Sequence, residues 1–200
     1  MALFTASSLK ESAENVKMAN FSGTVRDSAT QILTEALAKA AEDELFDIFL
    51  SHSFQDADII LGLKDQIEKM DYSVYVDWVT DKELDRVEAS KQTAELLKKR
   101  MINSSCLFFA TSSHSSVSKW MPWECGFFDG KKPNKVAICP VSLEKTAPIE
   151  YKGQEYLGLY PYVDKSRSEG GKADRLWINE AKDKYIDFNR WLTGVQPQQK

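Results

Sequence analysis

The stretch LFDIFLSHSFQDADIILGLKDQIEKMDYSVYVDW, residues 45–78, decides the fold. LFDIFLS (45–51) is an apolar run that ends in the polar triplet Ser51-His52-Ser53. Ile59, Ile60, Leu63, Ile67 and Met70 then recur at helical spacing, and YSVYVDW (72–78) is a second apolar run that closes on Asp77. A strand, a helix and a strand of these lengths make a crossover unit with parallel strands.

Outward from that unit the alternation continues. VTDKELDRVEAS (79–90) is a charged loop leading into a helix whose inward positions are read as Leu96, Leu97 and Ile102. SCLFFATSS (105–113) is a third strand, apolar enough to be buried on both faces. A third helix follows, then a fourth strand, KVAICPV (135–141), and a short fifth, LGLYPYV (157–163). Leu176, Trp177, Ala181, Tyr185, Phe188 and Leu192 predict a last helix over about 172–192. The pattern predicts an α/β protein with a flavodoxin-like, five-stranded parallel sheet and helices on both faces. Ligands of such sheets gather outside the carboxyl ends of the strands. That rule places Ser51 to Ser53, Asp77 and Trp78, and Thr111 to His114 on one rim.

Residues 1–44 differ in character and predict a helical N-terminal arm, packed on the body or on another subunit. Ser8-x-x-Glu11 and Ser28-x-x-Gln31 have the form of capping boxes, and Ile32, Leu33, Ala36, Leu37, Ala40 and Ala41 form an apolar stripe. The expected division is a helical extension over 1–44, the main domain over 45–194 and a disordered tail over 195–200. A net charge of −4 in 200 residues gives no basic footprint for nucleic acid. The sequence has no membrane-length apolar run and no signal-peptide pattern. Three scattered cysteines, Cys106, Cys125 and Cys139, fit small buried thiols in a reducing cytoplasm. Two histidines without metal-ligand spacing argue against zinc, and neither a Gly-x-Gly-x-x-Gly nor a Walker-type phosphate loop is present.

The rim carries one further signal, SHSSVSKWMPWECGFFDG (113–130). Trp120 and Glu124 are four apart and share a helix face if both are helical. Either Ser118 caps this helix and Pro122 falls late in its first turn, or Pro122 takes the first helical position and Trp120 belongs to the lead-in. In both cases Glu124 lies near a helix N-terminus, which favours an ionised carboxylate. Taken alone, Glu124 reads as an acid supporting the helix dipole.

These motifs together resemble those of the Toll/interleukin-1 receptor (TIR) domain family. DIFLSHSFQDAD resembles its first strand, YSVYVD its second, and CLFFATSSHSSVSKWMPWE its third strand followed by Ser-x-Trp-x-x-x-Glu. The resemblance covers about residues 45–141, in order and in register. It implies a catalytic Glu124 that cleaves NAD⁺ to nicotinamide and ADP-ribose or a cyclised ADP-ribose, with Trp120 beside the site. Ser51, His52, Asp77, Trp78 and Ser112 are the remaining candidate substrate contacts, and NAD⁺ is a substrate rather than a cofactor. The length and the arm look most like bacterial TIR proteins of antiphage defence, including the Thoeris type. That implies self-association and a downstream effector that senses the product. Met121, where many members carry Cys, and Pro122 inside the motif depart from the family pattern.

Blander roles stand beside these. His52 either contacts phosphate or ribose or caps a turn, and Asp77 fits side-chain-to-backbone bonding at the start of its loop. His114 reads as a loop residue, Trp123 as core, and the charges from Asp81 to Arg86 as a solvated loop. Two other functions share the pattern: a non-catalytic TIR interaction module, and a nucleoside deoxyribosyltransferase-like enzyme.

Overall fold

The computed structural model describes residues 2–20, 28–40, 44–77, 91–112, 114–143, 155–167 and 174–200. The predicted first unit is present: β2 (Phe46–Ser51), α3 (Ala57–Glu68) and β3 (Val74–Tyr75), following β1 (Phe4–Thr5), α1 (Ala6–Ala19) and α2 (Ala29–Lys39). Next come α4 (Lys91–Ile102), β4 (Ser104–Thr111), α5 (Trp120–Lys131), β5 (Val136–Ser142) and β6 (Tyr162–Arg167). These strands lie in the order β3-β2-β4-β5-β6, all parallel, which is the flavodoxin-like arrangement. The sequence order reverses between β2 and β4, where Ser51 pairs with Phe109.

Alternate residues of the central strands point to opposite helical layers. Phe49, Leu107, Phe109 and Ile138 pack with Leu97 and Met101 of α4 and with Met121, Cys125 and Phe128 of α5. Ile48, Leu50, Phe108 and Cys139 pack on the other face with Ile60, Leu63 and Ile67 of α3 and Leu9 and Ala13 of α1. All three cysteines are free and buried, and burial pushes the Cys125 thiol up to about 11.

Four sequence expectations are corrected. The span read as a last helix is a hairpin, β7 (Asp174–Ala181) and β8 (Lys184–Asp187), ending in the short α6 (Phe188–Leu192). Its Trp, Ile and Tyr residues suit a pleated surface, and Leu176 and Ile178 are buried at period two on the sheet. The fifth parallel strand begins at Tyr162, and Glu155–Leu159 is a 3-10 turn instead. In α4 only Leu97 of the three expected inward residues is buried, with Leu96 and Ile102 exposed. Beyond the parallel core the sheet continues antiparallel through β7, β8 and β9 (Gln198–Gln199), so the segment expected as a disordered tail carries an edge strand.

The N-terminal arm packs on the body. Phe4 pairs with Val141 of β5, while Ala2 and Lys165 of β6 exchange hydrogen bonds of 2.8 and 3.1 Å. Thr5, not Ser8, caps α1 by accepting the Ser8 N–H at 3.3 Å, whereas Ser28 caps α2 as expected, accepting from Gln31 at 3.2 Å. The two helices α1 and α3 meet at Gly62, where an added Cβ would lie 1.9 Å from the Leu9 carbonyl oxygen. Only a residue without a side chain permits that approach. Gly62→Ala is therefore expected to lower stability by about 3 kcal/mol, or roughly 6–12 °C in a thermal melt of the purified protein.

Asp164 of β6 is only 1% exposed, its Oδ1 has no hydrogen-bond partner, and burial, opposed in part by Asn179, pushes its carboxyl up to about 7. The unfolded chain releases this proton at an ordinary carboxylate pH while the fold retains it. Stability from this group therefore falls as pH rises from about 4 to about 7. Asp164→Asn lacks that slope, so its stability relative to the parent improves by up to about 4 kcal/mol between pH 4 and pH 8 in urea titrations.

Candidate active site

The rim above β2 and β4 is built by the ends of those strands and the first turns of α5. Lys119 is the residue before the helix, and the Ser118 hydroxyl accepts the Met121 N–H at 3.4 Å. Pro122 is the third helical residue, where its missing N–H costs no helical bond. Of the two sequence alternatives the helix thus follows the first, displaced by one residue: Trp120 and Glu124 are both helical and share a face.

Glu124 is 6% exposed, and its Oε2 accepts a 2.6 Å hydrogen bond from the hydroxyl of Ser51, itself 1% exposed. That distance is typical of a hydroxyl donating to a carboxylate. Two elements distant in sequence therefore meet here, the last residue of β2 and the second turn of α5. The bond holds one carboxylate at the sheet's carboxyl edge. Tyr75 lies close enough to feel it: burial first, then the charge of Asp77 and that of Glu124, raise its phenol well above its usual range. Its ring stacks on Phe49, with centroids 5.5 Å apart.

The aromatic residues of the motif form a row along α5. Trp120 meets Trp123 edge-on at 5.2 Å, and Trp123 stacks on Phe127 at 5.8 Å. Trp120 and Trp123 are half-buried against the α4–α5 core, so Trp123, read as core, also braces Trp120.

A second polar cluster stands on the same two strand ends. Asp56, 5% exposed, takes a hydrogen bond from the Ser112 hydroxyl, and the Nδ1 of His114 lies 2.7 Å from its other carboxylate oxygen. The Ser112 hydroxyl also accepts the His114 N–H at 3.1 Å. Ser112, expected among the substrate contacts, is thus bonded to Asp56. Asp56 is not among the residues the sequence singles out, and His114 reads there as a loop residue. Only its position just past a β-strand marked Asp56, and that signal is weak. His52 is buried at 9% exposure with Nδ1 2.9 Å from the Leu50 carbonyl, so a neutral ring donating there keeps its lone pair on Nε2. Asp77 is half-buried at the end of the segment after β3; Trp78 and the charges from Asp81 to Arg86 lie outside the described residues.

Among the described residues no group of three or more His, Cys, Asp or Glu side chains is placed to hold a metal, and no helix is long and apolar enough to cross a membrane. A cavity of about 220 Å³ lies elsewhere, at the outer edge of β3 between α2 and α3, lined by Leu33, Leu37, Lys64 and Val74 among others. Its floor includes Tyr75 but neither Ser51 nor Glu124.

Over 192 residues the chain is 46% identical to the Bacillus cereus (strain MSX-D12) protein named "Probable 3' cyclic ADP-D-ribose synthase ThsB'", covering 96% of this chain and 98% of that one. The chain belongs to the ThsB' family of TIR proteins. It is also 32% identical over 97 residues to TIR2 of Cytobacillus dafuensis, named for cyclic ADP-D-ribose synthesis, a match to 48% of this chain and 25% of that longer protein. No family model matches the chain. In this chain Glu124 is held by a buried hydroxyl, which makes the two residues energetically coupled. Ser51→Ala is expected to cost about 1–3 kcal/mol. In a double-mutant cycle with Glu124→Gln, followed by urea unfolding, the two changes are expected to be non-additive by about 1–2 kcal/mol.

Proposed function

We propose that the protein cleaves NAD⁺ and closes the ADP-ribose into a cyclic product, with Glu124 as the catalytic residue. The observation that carries this is the buried Glu124 carboxylate, fixed by Ser51 at the switch point of a parallel sheet. The near full-length similarity to a cyclic ADP-D-ribose synthase supports the same reaction.

The chemistry explains why one acid suffices. Nicotinamide in NAD⁺ is already cationic, so when the ribose C–N bond breaks its electron pair neutralises the pyridine nitrogen. No general acid is required, unlike the two-carboxylate arrangement of most glycosidases. The difficulty is the positive charge that develops on the ribose. A preorganised carboxylate out of bulk water hydrogen-bonds the ribose hydroxyls and stabilises that charge without reorganising during the reaction. Ser51 positions the carboxylate. Trp120, braced by Trp123, offers a flat apolar wall for a ring and excludes water. His52, Asp77 and Ser112 are the other described rim residues assigned to the dinucleotide, Ser112 through its hold on Asp56, and Trp78 is assigned with them from the sequence alone.

A cyclic product requires a second nucleophile on the same molecule to reach the anomeric carbon before water does. The ring's role as a signal implies an effector that senses it, and a cytoplasmic setting supplies NAD⁺. Self-association through TIR surfaces completes this reading. A purely scaffolding TIR module has no comparable need for a buried, hydroxyl-held acid at the rim.

Glu124→Gln preserves the side chain's shape while removing its charge. Nicotinamide release from NAD⁺, followed by chromatography at high protein concentration, is expected to fall roughly 10³-fold or more with the melting transition retained. A folded Glu124→Gln chain with undiminished turnover overturns the assignment.

A further inference from the structure

We propose that the cavity between α2 and the outer edge of β3 binds a small neutral aromatic carboxamide, of which nicotinamide is the member this chain's reaction releases. The occupant's identity rests on the reading of the protein as an NAD⁺-cleaving enzyme. The site itself rests on geometry.

Among the described residues β3 is the outermost strand on its side of the sheet. Ile48 of β2 donates its N–H to the Ser73 carbonyl at 3.1 Å, and Ile48 and Phe49 pair with Val74 and Tyr75. Consecutive residues of a strand turn their backbone groups to opposite edges. Ser73 and Tyr75 therefore face β2, and Val74 and Val76 aim their N–H and C=O groups outward. The alternation holds through Val76: Val74 and Val76 bury their side chains on the α3 side of the sheet, Tyr75 on the α4–α5 side. Lys64 of α3 reaches the Val74 carbonyl at 3.3 Å from outside, as that direction requires.

An open strand edge is ordinarily covered. Helix α2 covers this one by crossing it, with Leu33 in the core on one face of the sheet and Leu37 and Ala40 against the core on the other. A helix spends its backbone hydrogen bonds internally, so α2 cannot pair with the strand. Between the two lie about 220 Å³, with Leu33, Leu37 and Phe46 as apolar walls and Val74 and Val76 along the polar edge.

Size, charge and polarity select the ligand. The volume falls below the roughly 300–1,000 Å³ of sites for drug-sized molecules, so it suits one ring and not a dinucleotide. The lining charges balance, Lys39 and Lys64 against Glu44 and Glu68, which favours a neutral molecule over a phosphate. The Val74 carbonyl and the Val76 N–H stand on the same side of the strand as an acceptor and a donor. They complement a primary amide, whose NH₂ donates to the carbonyl's second lone pair and whose oxygen accepts from the N–H. Nicotinamide combines that amide with a flat apolar ring. The lining includes neither Ser51 nor Glu124, so this site is separate from the one that cleaves NAD⁺.

The test adds nicotinamide to the purified chain and follows backbone amides by ¹H–¹⁵N NMR, which needs no turnover. Saturable shifts centred on Val74 to Val76 are expected, with a Kd on the order of 1 mM or tighter. Nicotinate, which replaces the amide donor by a charge, should bind at least about 10-fold more weakly. Ala36→Phe places a ring in the cavity from α2 and should weaken nicotinamide at least about 10-fold, with NAD⁺ cleavage and the melting transition retained. Unmoved β3 amides overturn the proposal, as do shifts confined to Ser51 and the first turns of α5, which mark product in the catalytic site. Equal binding of nicotinate, or undiminished binding of nicotinamide by a folded Ala36→Phe chain, overturns it as well. Adenosine presents a similar donor–acceptor edge on a larger frame, and tighter binding of adenosine at β3 overturns the assignment to a carboxamide. A chain that binds nicotinamide at β3 yet releases none from NAD⁺ keeps the site and removes the enzymatic reading. One that releases nicotinamide without binding it there does the reverse.

Discussion

One hydrogen bond, from the Ser51 hydroxyl to the Glu124 carboxylate, fixes the chemistry of this protein in space. A buried carboxylate is costly unless it is hydrogen-bonded, so it persists where the fold supplies donors. The donor here ends a strand and the acceptor sits on the helix leaving the neighbouring strand. Their meeting depends on the register that pairs Ser51 with Phe109. A slip of one residue would turn Ser51 to the opposite face of the sheet. The packing of Phe49, Phe109, Met121 and Cys125 between β2, β4 and α5 specifies that register.

The same two strand ends carry a second, independent polar cluster, Asp56, Ser112 and His114. Parallel sheets concentrate function in this way because helices leave in opposite directions at the switch point and open a crevice between them. From one pair of strands, α3 departs to one face and α5 to the other. Each brings an acid back to the rim, Asp56 ahead of α3 and Glu124 within α5.

Much of this was legible in the sequence. The central strands are apolar runs closed by polar residues, and parallel crossover topology follows from their spacing, so the strand order and the rim could be read directly. Glu124 stands out only through the resemblance of its motif to the TIR pattern; its spacing from Trp120 alone reads as a helix-dipole acid. The hairpin after β6 was not, because Leu176, Trp177, Ala181, Tyr185 and Phe188 fit a helical face as well as a strand pair, and pairing to β6 decided between them. The Asp56–His114 pair was hidden for a different reason. Its members are 58 residues apart and each looks like an ordinary loop polar residue. Nothing local records that the fold brings them together. Gly62 illustrates the same point: a glycine in a helix reads as a weakness, and only α1 lying against it explains its presence.

The placement of the first strand has a bearing on how the chain acquires its structure. Phe4 and Ala2 find their partners on Val141 and Lys165, among the largest sequence separations in the molecule. Contacts of this kind raise contact order and slow folding. On the ribosome, the opening residues must wait for roughly 160 more to emerge, about 10–30 s at ordinary elongation rates. Over that interval Phe4, fully shielded in the finished protein, waits for β5, whereas Leu9 finds α3 much sooner. Strand β1 therefore docks only after β5 has been made, and its bridge to Lys165 only after β6.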